Sequence, residues 1–297
     1  MKSNYFLQNA TIVNEGQTFK GNVLIKDGLI KDIQTELKLS ESFLSENNIE
    51  CIDATGLMLI PGIIDDQVHF REPGLTHKGN MESESRAAVA GGVTSFMEMP
   101  NTNPSTITNE LLEEKYALAA NTSRANFSFY LGATNNNIEE IRKFDPEKNA
   151  GIKVFLGAST GNMLVDNPES LQKIFATPWL IAVHSEDETI IQRNVLKFRE
   201  KFGENVPIEC HPLIRSEEAC YASTLKAYDL AVKNNTRLHI LHLSTAKELE
   251  LLRSDIPLDK KRITSEVCVH HRLCTFRRGR PDKNQNRSYP QNSPYRN

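Results

Sequence analysis

The stretch LMLIPGIIDDQVHFREPG (residues 57–74) changes character halfway along its length. The first half is apolar, as in a buried strand, and the second half carries a carboxylate, an amide, an imidazole and a guanidinium. Side chains two residues apart in an extended chain lie on the same face. Alternation therefore puts four polar side chains on one face, namely Asp65, Gln67, His69 and Arg71. The pattern predicts a strand that ends in a functional site.

Apolar, strand-like segments recur after this stretch, and several helix-like segments with a 3.6-residue period, TAKELELLRS (245–254) among them, lie between them. Several of these helix-like segments start with Asn, Ser or Thr, as N-caps do. The strand-like segments are VTSFMEMP (93–100), NFSFYLGA (126–133), GIKVFLGA (151–158), LIAVHSE (180–186), RLHILHLS (237–244) and ITSEVCVHH (263–271). Alternating strands and helices predict a parallel sheet. Since there is no glycine-rich dinucleotide fingerprint, we expect an α/β fold of the (β/α)8 TIM type, incomplete at about seven strands.

The two ends of the chain differ from this middle part. Residues 4–35 form short alternating β-like runs, and the KDG turn (residues 26–28) is a hairpin signal. We therefore divide the chain into residues 1–54, the N-terminal part of a β-rich composite domain, residues 55–271, the barrel, and residues 272–297, a tail.

The tail holds six Arg and one Lys against one Asp and almost no aliphatic residues, so we expect it to be disordered. One interpretation is a basic tail for an acidic partner. The other is a truncated or frameshifted gene product, because the composition changes abruptly after SEVCVHH (residues 265–271). We favour the second interpretation.

Composition restricts the class of protein. A formal net charge of -3 argues against a nucleic-acid partner. No segment approaches the roughly 18 apolar residues of a membrane span, and the N-terminus resembles no secretory signal. Five cysteines without CxxC spacing indicate reduced thiols and a cytoplasmic protein. We expect the binding partner to be a small-molecule substrate, and the sequence is compatible with a homo-oligomer.

Imidazoles and a lysine fall on several predicted strands, at His69, Lys153, His184, His239 and His242. Any single one is typical of an ordinary half-buried residue, but their coincidence predicts one metal site. Imidazole ligands suit Zn²⁺. A desolvated lysine loses its proton, and the neutral amine can add CO₂ to form a carbamate that bridges two metals. Such a site is typical of amide hydrolysis or its reversal.

Three segments resemble the dihydroorotases of the amidohydrolase superfamily: PGIIDDQVHFREPGLTHKG (61–79), AAVAGGVTSFMEMPNTNP (87–104) and IKVFLGAST (152–160). The resemblance implies metal-dependent, reversible cyclisation of N-carbamoyl-L-aspartate to L-dihydroorotate in de novo pyrimidine biosynthesis. It also implies a metal-bearing barrel with a β domain built from both chain ends.

The resemblance implies a role for each metal-site residue. His69 is a metal ligand from the first barrel strand, Lys153 is the carboxylated bridging lysine, and His184 and His242 bind the second metal. Gln67 stands where the family has a further imidazole and is an additional candidate ligand. The implied cofactors are one or two Zn²⁺ ions and a CO₂-derived carbamate on Lys153.

The substrate contacts implied by the resemblance are His69, Arg71 and Asn103. Dihydroorotate carries a carboxylate beside its ring, and an arginine fork matches that group. The alternative for Arg71 is an internal ion pair with Asp65 or Glu72. Because His239 lies three residues before His242, alternation predicts that it points to the other face and is structural.

The family's general acid/base, an aspartate at the end of strand 8, has no counterpart after His271, so the catalytic group is unassigned and we expect this chain to be inactive or nearly so. Two alternatives remain open. One is another cyclic amidohydrolase, of the allantoinase or hydantoinase type, which does not require a substrate carboxylate. The other is a non-catalytic amidohydrolase-like scaffold, which metal analysis would separate from an enzyme.

Overall fold

A computed structural model describes residues 4–36, 38–157 and 163–269. The chain divides into two compact units, Met1–Ile64 with Gly92–Thr94, and Asp65–Gly91 with Ser95–Asn297. The predicted tail, residues 272–297, lies outside the described residues. Within the described ranges, no helix combines the length and apolar character needed to cross a membrane.

The first unit contains a five-stranded sheet in the order β3-β2-β1-β4, with β5 also paired to β1. Its elements are β1 (Asn4–Asn14), β2 (Gln17–Lys26), β3 (Leu29–Gln34), α1 (Glu41–Glu46), β4 (Ile49–Asp53) and β5 (Met58–Leu59). Asp27 and Gly28 join β2 to β3 with φ values of 56° and 77°. Positive φ at both central residues is the requirement of a type I′ hairpin turn, so the hairpin prediction is confirmed.

The second sheet has seven strands in sequence order, β12-β11-β10-β9-β8-β7-β6. The strands are β6 (Ile63–Val68), β7 (Val93–Glu98), β8 (Asn126–Gly132), β9 (Gly151–Phe155), β10 (Leu180–His184), β11 (Arg237–Ile240) and β12 (Ile263–Ser265). The pairings from β7 to β12 are parallel. A curled parallel sheet of seven strands confirms the prediction of an incomplete (β/α) barrel.

Helices connect these strands, as parallel pairing requires. They are α2 (Met81–Ala90), α3 (Asn109–Thr122), α4 (Ile138–Arg142), α5 (Pro168–Phe175), α6 (Glu188–Phe202), α7 (His211–Ile214) and α8 (Glu217–Asn234). Side chains of Asn80, Thr108, Asn167 and Ser216 cap α2, α3, α5 and α8, because each accepts a hydrogen bond from a free backbone N–H of the first turn.

The register of the sheet decides which side chains meet on its two faces. Ile152, Ile181 and Leu238 are fully buried and belong to the main apolar core. Lys153, one residue after Ile152, pairs in register with Ala182, Ala182 pairs with His239, and His239 pairs with Thr264. Register partners on neighbouring strands point to the same side of the sheet. The face of the sheet opposite the main core therefore carries a row of side chains that includes Lys153 and His239.

One predicted helix is different in the structure. Residues 245–254 have a helical period, yet they form a 3₁₀ helix over Lys247–Leu251. Glu248 is buried, and its carboxylate accepts hydrogen bonds from the Thr245 backbone N–H at 3.0 Å and the Thr224 hydroxyl at 2.6 Å. These bonds hold the segment in a tight turn.

Candidate active site

Two imidazoles meet at the ends of β10 and β11. The Nδ1 atom of His184 lies 3.0 Å from Nε2 of His242. His184 is the last residue of β10, whereas His242 follows β11 with a φ of 40°. Burial lowers the pKa of His184, and it lowers the pKa of His242 to about 3 together with the charges of His184 and Lys153. Both rings are therefore neutral near pH 7, the form that binds metals.

A carboxylate fixes the orientation of His184. Glu186 Oε2 lies 2.9 Å from His184 Nε2, and Arg215 Nε donates to Glu186 Oε1 at 2.8 Å. Burial opposes ionisation of Glu186, but the hydrogen bonds from His184 and Arg215 outweigh it and lower the pKa to about 2. Because the ionised Glu186 contacts Nε2 of His184, the other ring nitrogen, Nδ1, faces His242. A carboxylate behind a histidine is the usual support for a metal-binding imidazole.

Lys153 lies inside the barrel strand β9 and is 1% exposed. Its Nζ is 4.6 Å from the centroid of the Phe155 ring. Burial lowers the pKa of Lys153 well below its ordinary value, although the charge of Glu266 acts in the opposite direction. The buried amine is thereby driven towards its neutral form, which is the form that adds CO₂.

His69 lies beside Gln67, with 3.3 Å between its Nε2 and the Gln67 Nε2. Burial, followed by the charges of Arg71 and Lys153, lowers the pKa of His69 to about 3, although a hydrogen bond with Asn101 acts to raise it. The charge of Lys153 therefore acts on His69, His184 and His242 alike. The four predicted residues form one electrostatic cluster.

The prediction that alternation extends from Asp65 to Arg71 is wrong. Strand β6 ends at Val68, and Arg71 has a φ of 71°, so the chain has left the extended conformation before it reaches Arg71. The backbone N–H of Arg71 donates to Glu98 Oε1 at 3.0 Å, and Glu98 forms a buried ion pair with Lys115 at 2.7 Å. Arg71 Nη1 is buried without a hydrogen-bond partner in the described part of the chain.

Asn103 lies in the loop after β7, and its backbone N–H donates to the Pro73 carbonyl at 3.1 Å. A Cβ atom at Gly74, whose φ is 81°, would lie 1.9 Å from the Asn103 carbonyl oxygen. The two loops that carry FREPG and MPNTNP therefore touch at a position where only glycine fits. The Asn103 side chain is exposed, whereas the neighbouring Asn101 is 5% exposed and contacts His69.

The prediction that His239 points away from the site is also wrong. Strand β11 ends at Ile240, so strict alternation does not reach His242, and register puts His239 on the face of Lys153. His239 Nε2 lies 3.5 Å from Asp66 Oδ2 and 3.6 Å from Glu266 Oε2. Glu266 also accepts the backbone N–H of His242 at 3.0 Å.

The two imidazoles of His184 and His242 fit a divalent metal. Nitrogens that share one Zn²⁺ ion lie within about 4.2 Å of each other, twice a Zn–N bond, and the 3.0 Å separation of the two imidazoles meets this condition. Both imidazoles are neutral, one has a supporting carboxylate, and the buried lysine favours its neutral form. Gln67 offers an amide oxygen at the end of β6, and an amide oxygen is a weaker zinc ligand than an imidazole at the same position would be.

Sequence reasoning missed Glu186, Arg215, Asp66 and the Glu98–Lys115 pair. Glu186 follows His184 by two residues at a strand end, and this spacing was an available signal. Arg215 is 29 residues away from Glu186, and no local pattern connects the two. The burial of Lys115 could not be predicted from the sequence of its helix, α3, because its ion-pair partner Glu98 lies on a different element, the strand β7.

Comparison with known proteins assigns the family. A family model described as dihydro-orotase-like matches residues 56–211, more than half of the chain. The chain belongs to the dihydro-orotase-like family. It is 32% identical over 272 residues to a dihydroorotase from Carboxydothermus hydrogenoformans, covering 90% of this chain and 59% of that protein. An allantoinase from Bacillus velezensis is 28% identical, over 93% of this chain and 60% of that protein.

A solved structure resembles this dihydro-orotase-like chain in fold. The L-hydantoinase (dihydropyrimidinase) from Arthrobacter aurescens aligns with a TM-score of 0.79 and 26% identity, covering 90% of this chain and 58% of that one. The chain thus spans about three-fifths of the length of the relatives it matches. The dihydroorotase, the allantoinase and the L-hydantoinase are all cyclic amidohydrolases.

Proposed function

We propose that this chain carries the metal site and substrate-recognition loops of a dihydroorotase, which interconverts N-carbamoyl-L-aspartate and L-dihydroorotate in pyrimidine biosynthesis. The observation that carries the proposal is Arg71. Its Nη1 atom is buried without a hydrogen-bond partner among residues 4–36, 38–157 and 163–269, and its charge acts on the pKa of His69. A guanidinium with one buried, unused donor is suited to a substrate carboxylate.

His184, His242 and Lys153 are the residues that would hold a metal, with His69 beside them. A bound divalent ion supplies Lewis-acid chemistry, because it acidifies water and polarises an amide carbonyl. Glu186 keeps Nδ1 of His184 directed at His242. Burial of Lys153 favours the neutral amine, and we propose that this amine carries the CO₂-derived carbamate.

Arg71 would orient the ring of the substrate. Its backbone is fixed by Glu98, and Glu98 is itself fixed by Lys115 and fully buried. These contacts fix the backbone of the loop, so less of the loop must be ordered when a carboxylate binds. We propose that Asn103, on the touching loop, contacts the same end of the substrate.

Substrate binding tests the proposal without requiring turnover. Calorimetry on the zinc-loaded chain compares L-dihydroorotate with dihydrouracil, a neutral ring of the same type. We expect L-dihydroorotate to bind more tightly, and Arg71→Met to cost on the order of 1.5–3 kcal/mol for this ligand alone. Arg142→Met, at an exposed arginine, is the matched control.

The competing function is amide hydrolysis on neutral rings, which the similarity to an allantoinase favours. Equal binding of both rings, or an equal loss for both on Arg71→Met, would refute the dihydroorotase proposal and support that alternative. Binding of neither ring by a chain that retains zinc would refute both and support a non-catalytic scaffold.

A further inference from the structure

A second group of potential metal ligands consists of residues other than Lys153, His184 and His242. Asp66, His239 and Glu266 each offer one ligand atom, and the three atoms lie within 4.8 Å of one another. They come from three places in the chain: Asp66 from β6, His239 from β11, and Glu266 from the residue directly after β12. All three residues are half-buried.

The imidazole of His239 is directed into this group. Its Nδ1 lies 2.8 Å from the Thr264 hydroxyl, so the opposite nitrogen, Nε2, faces the two carboxylates. Nε2 is buried without a hydrogen-bond partner in the part of the chain that the structure describes. Its distances of 3.5 Å to Asp66 and 3.6 Å to Glu266 leave both contacts longer than a good hydrogen bond.

The backbone around the two carboxylates is anchored. The Tyr130 hydroxyl donates to the Asp66 carbonyl at 3.1 Å. The Glu266 N–H donates to the Ile240 carbonyl at 3.1 Å, and the Glu266 carbonyl accepts the Leu243 N–H at 2.9 Å. The backbone that carries the two carboxylates is therefore held in place, which lowers the cost of binding an ion between side chains whose ligand atoms already lie within 4.8 Å of one another.

We propose that Asp66, His239 and Glu266 form a divalent metal site separate from the Lys153 cluster. One imidazole and two carboxylates are ligands suited to Zn²⁺ or Mn²⁺. A cation bound by these three side chains would neutralise the adjacent carboxylates of Asp66 and Glu266 and would give His239 Nε2 a partner. The proposal does not depend on the substrate or reaction proposed above, because it concerns only metal binding.

The alternative explanation is a proton shared by the two carboxylates, with His239 as an ordinary neighbour. Zinc binding separates the two explanations. The background for the test is the full chain with His184→Asn and His242→Asn, which removes the imidazoles of the other site. Zinc-stripped protein is titrated with Zn²⁺ by calorimetry, and circular dichroism checks folding.

We expect this background to bind one Zn²⁺ per chain. Adding Asp66→Asn or His239→Asn should raise the dissociation constant at least about 10–100-fold, the range for disrupting a metal site's supporting shell. Asp65→Asn is the matched control, since Asp65 neighbours Asp66 but accepts the Gln67 backbone N–H instead. No binding by the folded background, or equal effects of Asp66→Asn and Asp65→Asn, would overturn the proposal.

A second measurement keeps the proposal testable if the substituted chains do not fold. The wild-type chain is treated with Fe²⁺ and hydrogen peroxide, and mass spectrometry maps the residues oxidised beside the bound iron. We expect oxidation at His239 that added Zn²⁺ suppresses. Oxidation at His242 with none at His239 would contradict a metal among Asp66, His239 and Glu266.

Discussion

Nδ1 of His184 lies 3.0 Å from Nε2 of His242, although 58 residues separate them in the chain. Parallel pairing of β10 and β11 brings the two strand ends together, and Glu186 determines which nitrogen of His184 faces its neighbour. Two imidazole nitrogens this close cannot both carry protons, because the protons would point at each other. The contact therefore suits either a single shared proton or a metal ion.

Acid should destabilise the metal-free chain through its buried histidines. The folded-state pKa of His69 and of His242 is about 3, against an ordinary 6.5. Because the unfolded chain binds these protons more readily, their contribution is fully present above pH 6.5 and is lost as the pH falls towards 3. Each histidine adds up to about 1.4 kcal/mol per pH unit in that window.

The prediction is checked by urea unfolding of metal-free protein between pH 6.5 and 4.5. Asp66, with its pKa raised to about 6, acts in the opposite direction, so the informative quantity is a difference between variants. His242→Gln should flatten the fall in unfolding free energy relative to wild type. His77→Gln, at an exposed loop residue, should leave the slope as it is. Parallel slopes for wild type and His242→Gln would refute the neutral, buried imidazole.

Lys153 should take up CO₂. With ¹³C-bicarbonate and zinc present, we expect a carbamate signal in the ¹³C NMR spectrum of the wild-type chain, because burial favours the neutral amine. Lys153→Met should abolish the signal, and Lys143→Met, at an exposed lysine, should leave it intact. A carbamate signal that persists in Lys153→Met would assign it to another lysine.

The Glu98–Lys115 pair should be costly to break. Their side chains are 0% and 1% exposed and lie 2.7 Å apart, so removing one partner leaves an uncompensated buried charge. We expect Lys115→Met alone to lower the free energy of unfolding by about 3–5 kcal/mol, and the double change with Glu98→Gln to cost clearly less.

Denaturant unfolding of the two single variants and the double variant measures the coupling energy between Glu98 and Lys115, that is, how far the cost of the double change differs from the sum of the single costs. The exposed Arg142–Glu139 pair serves as the control, and Arg142→Met should cost no more than about 1 kcal/mol. Additive effects at Glu98 and Lys115 would mean that the buried pair does not act as a unit.

Gly74 should be intolerant of any side chain. Gly74→Ala combines a φ of 81° with a Cβ 1.9 Å from the Asn103 carbonyl oxygen, whereas Gly28→Ala has a φ of 77° and nothing within 4 Å. The strain of positive φ, about 1–2 kcal/mol, is common to both variants. Thermal unfolding should therefore show the larger loss for Gly74→Ala, and equal losses would contradict the tight contact between the two loops.

Much of the fold could be predicted because strand and helix periods are local. The apolar runs of GIKVF (151–155) and LIAVH (180–184) became β9 and β10, and the Asn and Ser residues before α5 and α8 became their caps. The 3₁₀ helix Lys247–Leu251 was missed because the long-range contact of Glu248 with Thr224 decides its form.

The candidate site could be predicted in part. His69, Lys153, His184 and His242 were identified from strand ends, since parallel strands bring those ends together. The face of His239 was predicted wrongly, because the sequence pattern predicts alternation through to His242, whereas the positive φ of His242 interrupts it. Arg71 left the strand for a similar reason, as the Glu98 carboxylate holds its backbone outside the extended region.

Zinc content tests the central claim, that His184, His242 and Lys153 form a metal centre, most directly. The 297-residue chain is folded with zinc and bicarbonate, freed of excess metal, and measured by elemental analysis beside a variant with His184→Asn and His242→Asn. We predict at least one Zn²⁺ per wild-type chain and one fewer in the variant. A folded wild-type chain without zinc, or equal zinc in both proteins, would contradict the account.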